Sequence, residues 1–433
     1  MLFTKKFKRV TSMLTIVMVL FAMVITAPTA SACSALELTS AEGDVYWFRT
    51  CDMDNSYNVF GENGSYIAAS YLVSYPKGEA IPFVTGDVVA EHTVIGMSFS
   101  DSYALLDGIN DAGLTGGLLF LDEGTETLPE DVPEGNEVMS AMEGVTYILA
   151  QCGTIDEVIE LCERTNIQAL DVPGIPGSDL TATLHFNFVD PNGRGIVIEA
   201  ADTEHAGFYT VYDSIGVMTN SPPYDWQMEN FANYIGDSTA LEAKGIDSIT
   251  LENVTVEGTP TGAEAGMPGG MTAPDRLVRL AMSRYFCHEG NNIPNDEMLA
   301  RGAGIMATNN RPVEDTSIEG SAASYTQYTV AYDLSNQTMY IRPYDTVVWT
   351  SLSMDEITAE TRTQYPIYRG EEGQSVASLS LNASEEEAPA VETVTVENPI
   401  NTGLMVGICV LGLAVVVLLI KLGKKDNKEA AAK

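Results

Sequence analysis

The opening 32 residues restrict the fold first, because they are built to be removed from it. Lys5, Lys6, Lys8 and Arg9 precede an apolar run from Met13 to Ala27, and Ala30-Ser31-Ala32 closes the stretch. A charged region, an apolar region and a small-x-small junction make up a secretory signal, so residues 1–32 read as a targeting segment. Cleavage after Ala32 makes Cys33 the first residue of the mature chain.

The other end is also set apart. Gly403 to Ile420 is uncharged, rich in Val and Leu, and followed by Lys421, Lys424, Lys425 and Lys428. Such a run is long enough to cross a bilayer, and the lysines place 421–433 in the cytoplasm and the body outside. The expected address is the outer face of the cell membrane. Asn398-Pro399 and Thr402-Gly403 leave open a sortase-type tail that is later cut. Residues 382–402, with Glu385-Glu386-Glu387 and two prolines, read as an acidic stalk. The remaining body, 33–381, shows no repeat or linker and is expected to be one domain.

The chain has 22 Lys and Arg against 60 Asp and Glu, a formal net charge of −38. Nucleic acid is a poor partner for such a body, and the charge itself speaks to solubility. Cys409 lies in the apolar run. Cys51, Cys152, Cys162 and Cys287 lack the density of a disulfide scaffold and are expected as buried free thiols, with a Cys152–Cys162 bridge left open.

Hydropathy patterning mixes two periods. Thr183 to Phe188 alternates, turns at Asp190-Pro191-Asn192-Gly193 and resumes from Gly195 to Glu199, a hairpin signature. A second hairpin runs from Tyr328 to Asp333 and returns through Thr338 to Ile341. Thr154 with Glu157 forms a capping-box pattern ahead of Ile155, Val158, Ile159 and Cys162 on one helical face, and Thr272, Pro274 and Asp275 start a helix through Phe286. Hairpins with a few amphipathic helices imply a layered α+β fold.

No G-x-S-x-G elbow, HExxH, paired C-x-x-C or Walker A loop is present. The four histidines, His92, His185, His205 and His288, are scattered without ligand spacing, so no metal or cofactor is expected. What remains is a cysteine at a processing site. Its α-amine titrates near ~7.7–8.0 and its thiol near ~8.5, so a single residue can supply nucleophile and proton acceptor without a histidine.

Cys33-Ser34-Ala35-Leu36, followed by Gly43 to Asp52 (GDVYWFRTCD), resembles the opening of the choloylglycine hydrolase family, which includes bile salt hydrolases and penicillin V acylases. Asp107-Gly108-Ile109-Asn110-Asp111-Ala112-Gly113-Leu114, Thr219-Asn220-Ser221-Pro222, Ala273-Pro274-Asp275-Arg276-Leu277-Val278-Arg279, and Tyr332-Asp333-Leu334 with Thr338-Met339-Tyr340 follow in order. The resemblance covers nearly all of Cys33 to about Ile367. It implies an N-terminal-nucleophile hydrolase of linear, non-peptide amide C–N bonds, folded as a four-layer αββα sandwich of two antiparallel sheets. It carries over Cys33 as nucleophile and base, with Arg49, Asp52, Asn220 and Arg276, and it implies a homotetramer. Arg49 and Arg276 can favour developing negative charge, Asp52 can hold the amine, and Asn220 can donate to the oxyanion.

One position departs from the family. Where the family places an asparagine or a tyrosine beside the oxyanion, this chain reads Gly116-Gly117-Leu118-Leu119-Phe120, so Phe120 could serve only through its backbone N–H. Ser221 and the aromatic Phe120 lean toward penicillin V as substrate type, with glycine- or taurine-conjugated bile salts close behind, and segments near Phe60, Tyr66 and Met139 are expected to shape the pocket. The rival reading is a surface lipoprotein or binding module lipidated at Cys33. Ala30 argues against it, since a lipid-attachment signal has a larger aliphatic residue there.

Overall fold

Both segments read as hairpins fold as antiparallel pairs. A computed structural model describes residues 33–54, 71–99, 102–175, 183–288, 293–312, 324–365 and 367. The expected targeting segment, stalk, span and tail, and also Phe60 and Tyr66, lie outside the described residues. Among the described residues no helix is long and apolar enough to cross a membrane.

Fourteen strands build the two main sheets. In chain order they are β1 (Ser34–Thr39), β2 (Val45–Asp54), β3 (Leu72–Tyr75), β4 (Val94–Ser98), β5 (Leu105–Asn110), β6 (Thr115–Phe120) and β7 (Leu184–Val189), then β8 (Gly195–Glu199), β9 (Thr210–Asp213), β10 (Val217–Thr219), β11 (Ser324–Asp333), β12 (Thr338–Pro343), β13 (Thr350–Ser353) and β14 (Thr363–Tyr365). One sheet runs β10-β1-β2-β11-β12-β13 and the other β9-β8-β7-β6-β5-β4-β3-β14, with antiparallel neighbours throughout.

Strand β2 shows how the layers meet, because successive side chains leave a strand on opposite faces. Trp47 is fully buried and its indole N–H donates to Asn187 Oδ1 on β7 at 2.6 Å. Gly117 of β6 lies so close that a Cβ there would sit 2.9 Å from the Trp47 ring. Trp47, Arg49 and Cys51 therefore face the partner sheet, while Phe48, Thr50 and Asp52 face the helices. Truncating a buried aromatic such as Trp47 to Ala costs about 3–5 kcal/mol.

The helices are α1 (Gly144–Gln151), α2 (Ile155–Glu163), α3 (Tyr224–Asp237), α4 (Ala273–His288) and α5 (Asn295–Ala307). Helix α1 covers β5 and β6, α4 covers β1 and β10, and α5 covers β1 and β2. Gly302 of α5 lets that helix close on the Phe48 ring, which a Cβ would meet at 2.0 Å. The order is helix, sheet, sheet, helix, the arrangement expected for αββα.

The expected capping box forms: Thr154 Oγ1 accepts from Glu157 N–H, and the Glu157 carboxylate accepts from Thr154 N–H at 3.0 Å. Cys51, Cys152 and Cys162 are buried and unbridged, as expected of free thiols. Cys287 departs from that expectation. It occupies the last turn of α4 and is only partly buried.

Candidate active site

Cys33 stands at the head of β1 and is 2% exposed. Ser34 N–H donates to Thr50 Oγ1 at 3.1 Å, which tethers the first residue of the strand to β2. The Cys33 thiol points at the Asp52 carbonyl, 3.8 Å away, and Arg49 Nη2 lies 3.7 Å from the sulfur.

Arg49 is placed by a parting of strands. β5 and β6 pair from Ile109–Thr115 to Asp107–Gly117, and the pairing ends there. The guanidinium fills the gap, donating to Leu106 O at 2.8 Å, to Leu118 O at 2.6 Å and to Asp107 Oδ2 at 2.5 Å. Asp107 also accepts from the Tyr328 hydroxyl at 2.7 Å and the Tyr332 hydroxyl at 2.6 Å. Burial, with the Asp107 charge, pushes both phenols well up, so they remain donors. Three donors thus hold one buried carboxylate, which fixes the arginine aimed at the thiol.

Arg49 and Asp52 do not pair, because they leave β2 on opposite faces. On the Asp52 side, Arg276 in the first turn of α4 donates from Nη1 to Cys33 O and Ser34 Oγ, each at 2.5 Å, and from Nη2 to Asn220 Oδ1 at 3.0 Å. Burial lifts the Asp52 carboxyl to about 7; Cys33 adds to the rise, while Arg276, Thr326 and Arg311 oppose it. Burial draws the Arg276 guanidinium down to about 10 against the pull of Asp52 and Cys33. Thr272 and Asp275 cap the helix, with the threonine hydroxyl donating to the carboxylate at 2.6 Å.

Asn220 is oriented from three sides. Arg276 engages its Oδ1, so its Nδ2 faces Phe120 O at 3.2 Å. Gln227 of α3 grips the turn, donating to Asn220 O at 2.7 Å and Pro222 O at 2.9 Å and accepting from Thr219 Oγ1 at 3.0 Å. Ser221 Oγ accepts from Asp122 N–H at 2.6 Å, which ties the turn to the end of β6.

The Phe120 backbone faces the same gap. Phe120 pairs with Leu184, and Leu121 N–H donates to Thr183 O at 3.1 Å. That pattern marks a non-hydrogen-bonded antiparallel pair, so the N–H and C=O of Phe120 point away from β7. Its carbonyl already meets Asn220 on that side.

All six residues singled out from sequence therefore converge: Cys33, Arg49, Asp52, Asn220 and Arg276 through side chains, and Phe120 through its backbone. Asp107, Tyr328, Tyr332 and Gln227 were not among them. Asp107 sat inside a quoted motif, and Tyr328 and Tyr332 share a strand face, which is the signal that could have found them. His92, His185 and His205 pair instead with Asp111, Glu199 and Asp202. Met139 lines a cavity of about 330 Å³ with Phe83, Val88 and Tyr147.

A family model described as linear amide C–N hydrolases, choloylglycine hydrolase family, matches residues 33–365. The bile salt hydrolase/transferase of Clostridium perfringens (strain 13 / Type A) is 25% identical over 333 residues, covering 75% of this chain and 93% of that protein. The bile salt hydrolase/transferase of Bifidobacterium longum subsp. longum is 26% identical over 330 residues, covering 74% and 95%. Among solved structures, a variant of the conjugated bile acid hydrolase from Clostridium perfringens superposes with a TM-score of 0.62 at 21% identity, covering 80% of this chain and 100% of that one. Penicillin V acylase from Agrobacterium tumefaciens gives 0.55 at 19% identity, covering 75% and 87%. The structural likenesses establish the fold.

Proposed function

Because the chain belongs to the choloylglycine hydrolase family of linear amide C–N hydrolases, we propose that Cys33 is its nucleophile and that the Cys33 α-amine, freed by removal of residues 1–32, is the base. The amine takes the thiol proton and the sulfur attacks the amide carbon. Negative charge gathering on the carbonyl oxygen is met by the Asn220 amide and the Phe120 N–H. The ammonium returns its proton to the leaving amine as the C–N bond breaks, and an acyl thioester remains. The same amine then deprotonates a water that hydrolyses the thioester to the free acid.

Arg49 steadies the thiolate, Asp52 holds the amine, and Arg276 fixes both the Cys33 carbonyl and the Asn220 side chain. The observation that carries this reading is the meeting of Arg49, Arg276 and Asn220, from three separate segments, around one cysteine. The substrate is an amide with a bulky apolar acyl group, of the penicillin V or the glycine- or taurine-conjugated bile salt type, as the names of the relatives support.

The test compares chains starting at Cys33 with chains carrying one extra residue before it, each N-terminus confirmed by mass. Phenoxymethylpenicillin and conjugated bile salts are assayed together. Only the free form should turn over, since the extra residue converts the base to an amide; hydrolysis by the blocked form would contradict the mechanism. For location, the lysine-flanked run 403–420 supports an integral anchor with the body outside the cell. Detergent should be needed to release the intact protein, and release by high salt alone would refute the anchor.

A further inference from the structure

Cys51 is a neighbour of Cys33 for which the amide reaction has no use. It lies on β2 between Arg49 and Asp52 and is 0% exposed. In the β1–β2 ladder Ser34 stands opposite Thr50 and Ala35 opposite Arg49. One further step of that register sets Cys33 opposite Cys51. Directly opposed residues of an antiparallel pair project from the same face, the face from which Arg49 reaches the Cys33 sulfur at 3.7 Å. After burial itself, the Cys33 side chain is the neighbour that most raises the Cys51 thiol. Opposed Cβ atoms lie about 4.5–5.5 Å apart, and a disulfide asks for about 3.5–4.5 Å. A small contraction of the strands suffices to bridge them, and the residual strain keeps such a bond easy to reduce.

We propose that Cys33 and Cys51 form a reversible disulfide when the enzyme meets a hydroperoxide, and that this bond switches hydrolysis off. The switch rests on the reading of Cys33 as the nucleophile.

The chemistry balances with the hydroperoxide as oxidant. The Cys33 thiolate attacks the peroxide oxygen, the O–O bond breaks, and the departing oxygen takes a proton to leave as water or alcohol. Cys33 is left as a sulfenic acid, its sulfur oxidised by two electrons and the peroxide reduced by two. The Cys51 sulfur then attacks the Cys33 sulfur. The Cys51 proton goes to the sulfenic oxygen, which leaves as water, and the S–S bond closes. A dithiol reductant restores both thiols by exchange.

Burial and the contact with Cys33 push the Cys51 thiol well up, with Arg49 opposing. Cys51 is therefore the poorer first nucleophile toward the peroxide, and it attacks the Cys33 sulfenic acid only as its own proton passes to the departing sulfenic oxygen. Closing the bond holds Cys33 below the sulfinic and sulfonic states, which dithiols do not reverse.

The experiment treats the processed full-length enzyme with hydrogen peroxide. It follows turnover, maps disulfide-linked peptides after blocking free thiols, and then adds dithiothreitol. Wild type should lose most of its activity, become lighter by two hydrogens, yield a peptide joining Cys33 to Cys51, and recover fully on reduction. Cys51→Ala, or Cys51→Ser should the first fold poorly, should keep its basal activity, lose it to peroxide, and fail to recover. Inactivated wild type with no Cys33–Cys51 peptide would overturn the switch and leave the nucleophile standing. A complete crosslink with unchanged turnover would overturn it through the nucleophile reading instead.

Discussion

Two arginines are equally hidden in this molecule and are held by different sets of groups. Arg49 on β2 and Arg284 on α4 are 0% and 1% exposed. Arg284 donates to Glu37 O at 2.7 Å, lies 3.6 Å from the Glu37 carboxylate and bonds the Glu252 carboxylate. Two carboxylates thus surround one cation. Arg49 has a single carboxylate, Asp107, itself held by two tyrosine hydroxyls; beyond the Leu106 and Leu118 carbonyls it reaches the Cys33 sulfur. Depth of burial does not separate the arginine proposed to serve chemistry from the one proposed to hold the fold. The set of groups around the guanidinium does.

Removing each arginine breaks the comparison most sharply. Arg49→Ala strands Asp107 and should cost about 3–5 kcal/mol of stability. Beyond that, kcat per folded molecule should fall roughly 10²-fold or more, the scale of losing a group that stabilises charge in the transition state. Arg284→Ala should cost a similar stability through Glu37 and Glu252 while kcat per folded molecule holds. Denaturation and active-site-titrated kinetics on both variants check the pair; equal losses of kcat would erase the distinction.

A smaller effect sharpens the Arg284 side. Burial raises the Glu37 carboxyl from 4.5 to about 7, with Arg284 pulling it down and Glu252 and Asp190 pushing it up. The folded state therefore binds this proton more tightly than the unfolded chain, and the group loses stability as pH rises from 4.5 to about 7. Glu37→Gln cannot lose that proton. It should gain on wild type across the same window by up to roughly 3 kcal/mol, read as the difference between two denaturation curves at each pH. A difference that stays flat with pH would remove the account of Glu37.

The candidate site was more legible in the sequence than its support. Cys33, Arg49, Asp52, Asn220 and Arg276 each sat in an ordered motif, and the first hairpin followed from period-two alternation. Asp107 was not singled out because its role exists only when β2, β5 and β11 come together. Its tyrosine partners lie 221 and 225 residues away along the chain, beyond any local pattern. Asn110 shows the reverse. In the same motif it is consumed by structure, accepting from Ala112 and Leu114 N–H and donating to Leu149 O and Cys152 O. Ser221 read as a sign of substrate type, and in the fold its Oγ also accepts from Asp122 N–H and so ties a turn to the end of β6. Cys287 read as buried from its residue type, whereas its place at the end of α4 leaves it partly open.

The central claim is that Cys33 carries the acyl group, and trapping that intermediate tests it most directly. The processed enzyme is mixed with excess phenoxymethylpenicillin or conjugated bile salt, quenched in acid during turnover, and digested for mass spectrometry. The account predicts the acyl mass on the peptide that begins at Cys33, as a thioester that hydroxylamine removes. Acyl mass on any other residue of an enzyme turning over its substrate would contradict it.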